Sequence, residues 1–104
     1  MIADEQTLTS EKSDIDLGIK KPHQYYVVMH NDDTTPIEFV IEVLHQLFHH
    51  SMETAAELAN KIHMEDSAIA GMYYREIAEQ KVEETTRAAR TNSFTLTTSI
   101  EPAE

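Results

Sequence analysis

Cysteine is absent from the 104 residues, which excludes disulfides, thiolate metal sites and cysteine nucleophiles. Glycine is scarce, with two residues, and no glycine-rich loop exists to cradle a phosphate. No apolar run approaches the ~20 residues of a membrane span, so the chain reads as soluble. The first twenty residues, MIADEQTLTSEKSDIDLGIK, lack the apolar stretch of a secretory signal. Bases are few as well: eight against nineteen acids, a formal net charge of −11. Nucleic-acid and anionic-membrane surfaces need lysines and arginines that this chain does not have. The same acidity suits a cationic ligand, and it also serves plain solubility. With no serine in a nucleophile elbow and no basic aromatic patch, no catalytic machinery is in view.

What is present is one small domain behind an extension. Residues 1–22 scatter apolar side chains among Asp4, Glu5, Glu11, Asp14 and Asp16 without periodicity. Such a segment buries too little surface to offset its ordering entropy and is expected to be mobile. Residues 23–104 hold the candidate core and fourteen acids against five bases, so the acidity belongs to the folded part. Tyr25 to His30 is β-prone and ends in the turn formers Asn31-Asp32-Asp33. Thr35-Pro36-Ile37-Glu38 then resembles a capping box, with Thr35 as cap and a helix running to about His50. Ser51 caps a second expected helix, Met52 to His63, with Met52, Ala55, Ala56, Ala59 and Ile62 inward. Residues 67–72 form a weaker strand candidate, in which Gly71 suggests a bend or a close backbone approach. A helix from about Tyr74 to Arg90 and an alternating strand from Phe94 to Ile100 complete the order β-α-α-β-α-β. The expected fold is α+β, a three-stranded antiparallel sheet covered by three helices on one face.

Three constellations bear on chemistry. Asn31-Asp32-Asp33 is ordinary turn material, but carboxylates facing a helix start stay ionised and suit a cation. His45 and His49 stand four apart on the expected first helix, the spacing of a two-imidazole metal site. His50 points elsewhere around that helix, no third ligand is evident, and no glutamate completes a metalloprotease motif. His63 closes the second helix, where an imidazole complements the helix terminus and can also stand at the rim of an apolar groove.

The stretch Asn31-Asp32-Asp33-Thr34-Thr35-Pro36-Ile37-Glu38-Phe39-Val40 resembles the NDDYTPMEFV signature of the ClpS family, adaptors of the bacterial Clp ATP-dependent protease. The resemblance continues through Ile62-His63, Ala68-Ile69-Ala70-Gly71 and Glu76-Ile77-Ala78-Glu79 with Lys81, over about residues 24–100. It implies a non-catalytic, cofactor-free, monomeric and cytoplasmic protein. Such adaptors bind substrates whose first residue is bulky and hydrophobic, the N-degron, and hand them to the N-terminal domain of the ClpA unfoldase for degradation by ClpP. It implies that Asn31, Asp32 and His63 surround the substrate's α-amino group. It further implies a side-chain pocket of Asp33, Thr35, Ile37, Val40, Ala59, Ile62 and Leu96, and unfoldase contacts at Thr34, Glu76 and Lys81. The extension would be engaged by the unfoldase during hand-off.

This sequence departs from the family pattern at three positions. Ile37 replaces a methionine that screens out β-branched first residues, Ala59 replaces another common methionine and widens the pocket, and Thr34 replaces the signature tyrosine. Outside that family, the residues leave two alternatives: a histidine-dependent metal-binding protein, and an acidic module recognising basic helices.

Overall fold

The computed structural model describes residues 23–103, so the expected extension lies outside the described residues. Strand β1 (Gln24–His30) is followed by helices α1 (Ile37–Gln46) and α2 (Met52–Glu65). Strand β2 (Ser67–Tyr74), helix α3 (Arg75–Thr91) and strand β3 (Thr97–Pro102) complete the order. β1 lies in the middle of one antiparallel sheet, order β2-β1-β3, pairing Tyr26 with Met72 on one side and with Glu101 on the other. The fold is α+β, as the sequence pattern predicts.

Alternation along the strands sends Val27, Met29, Ala68 and Ala70 into the core with the helices. The opposite face leaves Ile69, Met72 and Tyr74 about half exposed, at 46%, 49% and 51%. The bend expected at Gly71 is a β-bulge: Val27 pairs with Gly71 and Val28 with Ile69, leaving Ala70 as the extra residue. A β-carbon at Gly71 would stand 2.6 Å from the Tyr73 hydroxyl, so the aromatic ring fills the space a side chain would need.

Helix boundaries and inner faces differ from expectation in instructive ways. Pro36 stays extended (ψ 144°), which starts α1 one residue later and removes Thr35 from the capping position. The capping box is therefore not formed. α1 ends at Gln46 rather than His50, because His49 takes a left-handed conformation (φ 62°) and the His50 amide bonds back to the Leu44 carbonyl. That bond spans six positions and turns the chain back over the end of the helix. In α2 the Ser51 hydroxyl accepts from the Thr54 amide as expected. The buried stripe of α2 is Ala55, Ala59 and Ile62, while Met52 and Ala56 are exposed. In α3, Ala78, Thr85 and Ala89 are buried and Ile77 faces out. β3 begins at Thr97, three residues later than the alternation suggests, so Phe94 to Leu96 form a lead-in outside the ladder.

Candidate functional site

A cavity of about 270 Å³ opens where β1, α1, α2 and the lead-in to β3 converge. Its position follows from the backbone. The Asn31 amide donates to the Asp66 carbonyl at 2.8 Å, drawing the turn after β1 to the end of the helix that carries His63. Asp66 itself closes α2 in a left-handed conformation (φ 76°). All ten residues that the sequence analysis assigns to an amine subsite and pocket line this one cavity: Asn31, Asp32, Asp33, Thr35, Ile37, Val40, Ala59, Ile62, His63 and Leu96.

The cavity has two parts of different chemistry. Val40, Ala59, Ile62 and Leu96 are buried and form an apolar floor, with Ile37 at 41% exposure on the lip. Asn31, Asp32, Asp33 and His63 form a rim of acceptors, and His30 lines the cavity beside them. Asp32 is the organising acid. Its Oδ2 accepts from the hydroxyls of Thr35 at 2.6 Å and Thr34 at 2.8 Å, and Thr95 donates to both carboxylate oxygens at 3.0 Å. The Thr35 hydroxyl above all holds the Asp32 carboxyl below its ordinary range; desolvation opposes it, and the Thr34 and Thr95 hydroxyls with the Thr34 backbone add to the lowering. The rim therefore keeps a fixed negative charge.

Two residues of this site are not in the expected set. His30 immediately precedes Asn31, and that adjacency was the available signal; its Nε2 also pairs with the Ser99 hydroxyl at 2.8 Å. Thr95 reaches Asp32 across 63 positions of sequence, and no local pattern announces it.

The expected unfoldase contacts lie apart from the cavity or are otherwise engaged. Thr34 is exposed, but its hydroxyl bonds Asp32 and Thr95. Glu76 is exposed in the first turn of α3. Lys81 donates from Nζ to the Leu47 carbonyl at 2.6 Å, with its side chain 15% exposed, and so satisfies an open carbonyl just past α1.

The histidines do not converge on a metal. His49 lies beyond the end of α1, so the helical spacing with His45 is not realised. His45 donates from Nδ1 to the His50 carbonyl at 2.7 Å, and His50 from Nε2 to the Ala70 carbonyl at 2.6 Å. Among the described residues no group of three or more histidine or acidic side chains is placed to hold a metal ion. Nor, among them, is any helix long and apolar enough to cross a membrane.

The family described as ATP-dependent Clp protease adaptor protein ClpS matches residues 20–99. The chain belongs to the ClpS family. The ClpS adapter of Vibrio atlanticus is 45% identical over 83 residues, covering 80% of this chain and 78% of its own. That of Serratia proteamaculans is 40% identical over 94 residues, covering 90% and 88%. Among solved structures, Agrobacterium tumefaciens ClpS2 bound to L-phenylalaninamide superposes with a TM-score of 0.76 at 36% identity, over 79% of this chain and 99% of that one. The ClpS family serves the Clp protease as adaptors and is not catalytic, in accord with a chain whose cavity holds acceptors and apolar walls.

Proposed function

We propose that the cavity binds the first residue of protein substrates that carry a free α-amino group and a bulky hydrophobic side chain. The chain then delivers these N-degron substrates to the N-terminal domain of the ClpA unfoldase for degradation by ClpP in the cytoplasm. The observation that carries this reading is the division of one cavity into an anionic, acceptor-rich rim and an apolar floor. An α-amino group, with a pKa of about 7.7–8.0, is mostly an ammonium with three donors at neutral pH. Asn31 offers a carbonyl oxygen, Asp32 a fixed charge, and His63 a lone pair when neutral. Asp33, exposed on the same rim, adds a second carboxylate. An internal amide has one donor and no charge and leaves these acceptors unpaired, so the rim selects chain termini. The phenylalaninamide bound by the Agrobacterium relative offers both features, a free amine and a benzyl side chain.

Residues 1–22 form the extension engaged by the unfoldase, and residues 23–104 the adaptor domain. Glu76 marks the docking side, with Thr34 and Lys81 as further contacts. Acetylating a Phe-initiated peptide tests the reading directly. Removal of the charge and two donors should weaken binding by about 2 kcal/mol or more, measured by fluorescence anisotropy. Equal affinity for free and blocked peptides would overturn it.

A further inference from the structure

The site depends on a stretch that belongs to no helix or strand. Helix α3 closes with the Ser93 amide on the Arg90 carbonyl and the Phe94 amide on the Ala89 carbonyl, and Ser93 turns left-handed (φ 64°). Residues 94–96 then lead to the first ladder pair of β3, Thr97 with His30. Within that stretch Phe94 packs edge-on against Phe39 of α1, with ring centres 4.9 Å apart. Leu96 is fully buried in the cavity floor, and Thr95 carries the hydroxyl that bridges both oxygens of Asp32. One side chain ties the stretch back to the helix. Arg90 donates from Nη1 to the Phe94 carbonyl at 2.8 Å and to the Leu96 carbonyl at 2.9 Å. The other arginines of α3 are engaged differently, Arg75 with Glu79 and Arg87 with Glu83.

We propose that Arg90 is a positioning residue for substrate binding. It clamps the carbonyls on either side of Thr95, which sets the Thr95 hydroxyl on Asp32 and seats Leu96 in the floor. A guanidinium suits this task because its charge and several donors hold two neutral acceptors at once. The two carbonyls lie two residues apart, and Nη1 alone reaches both. Arg90 itself does not line the cavity, and its effect on ligand passes through the rim and the floor together.

This inference rests on the N-degron reading for its binding readout, but its second readout does not. In the full chain, Arg90→Met keeps the apolar stem and removes the clamp. Affinity for a Phe-initiated peptide should fall about tenfold, the scale of one charge-assisted hydrogen bond. The Asp32 carboxyl, followed by NMR, should titrate at higher pH because it loses the Thr95 donor. Thr95→Val should reproduce the Asp32 shift with a smaller loss of affinity, since Leu96 stays seated. Arg90→Lys, whose ammonium stands on a shorter stem than the Nη1 that makes both bonds, should fall between Arg90→Met and the natural chain in both readouts. It also supplies the test should the methionine variant fail to fold. An Asp32 titration unmoved in both Arg90 variants overturns the proposal, whether or not affinity falls. If the natural chain fails to distinguish free from acetylated peptide, the N-degron reading falls, and the Asp32 titration alone still decides whether Arg90 positions Thr95.

Discussion

The floor and the rim of the cavity are built by different physics. Val40, Ala59 and Ile62 reach the floor because they lie on the buried stripes of α1 and α2, where helical periodicity turns them inward. They are core residues that also face a ligand. Apart from His63, one turn beyond Ala59 on α2, the rim owes nothing to periodicity. Asp32 is held by three hydroxyls, two from its own turn and one from the far end of the chain, and each is a directional bond that one altered side chain would remove. The floor thus couples ligand choice to fold stability, whereas the rim can change its chemistry with little effect on the fold.

That contrast is exposed most forcefully at Leu96. Leu96→Ala should cost about 2–5 kcal/mol of stability, because the site is fully enclosed and a cavity is left behind, and denaturant unfolding would show it. Peptide affinity should fall with it. If stability is unaltered while binding drops, floor and core are separable after all. Asp32→Ala should show the reverse pattern. Peptide binding is expected to weaken by about 1.5–3 kcal/mol, the worth of bonds to a charged group, with a stability change below about 1 kcal/mol. A variant that melts as readily as the leucine truncation would place Asp32 with the floor.

A finer test adjusts the floor without breaking it. Ala59 is 2% exposed and lines the cavity, so Ala59→Met should narrow it. Leu-initiated peptides should gain about 1–2 kcal/mol relative to Trp-initiated ones, at ~0.8 kcal/mol per buried methylene. An unchanged ratio of the two affinities would remove Ala59 from the ligand's surroundings. The smallest effect concerns pH. Because hydrogen bonds depress the Asp32 pKa in the folded state, its contribution to stability is full above the ordinary aspartate range. That contribution is lost as pH falls through the folded value. Thr35→Val, which deletes the shortest of these bonds, should therefore be less stable than the natural chain at neutral pH. The gap should close on acidification below both values. A gap that persists at low pH would mean the hydroxyl acts by packing rather than by stabilising the charge.

The two regions were also unequally legible in the sequence. The β-prone run of β1 and the Ser51 cap are local signals that appear where the pattern put them, and the bend expected at Gly71 is a bulge whose extra residue is its neighbour Ala70. The signature around Asn31 to Val40 encodes both the turn and the start of the helix stripe but contains only Val40 of the floor; Ala59, Ile62 and Leu96 lie outside it and follow from the longer resemblance, and all four line one cavity. Misreadings arose where a local motif met a tertiary partner. Thr35 looked like a cap, but the extended Pro36 and the nearby Asp32 gave its hydroxyl a different task. His49 looked helical by spacing, yet left-handed closure of α1 put it past the helix end. Thr95 and Arg90 act through contacts that only the folded chain creates, with no periodicity to reveal them.

Lys81 carries a consequence for anyone who modifies this protein. Its ammonium is turned inward onto the Leu47 carbonyl beneath the Tyr73 ring, with 15% of the side chain in contact with water. A primary amine attacks an activated ester only as the free base and only when the reagent can approach it. Lys81 leaves such a reagent little room to approach, whereas Lys61 stands on the exposed face of α2. Amine-directed dyes and crosslinkers should accordingly decorate Lys61 well before Lys81. A chain labelled at low stoichiometry would keep the tether between α3 and the end of α1 intact.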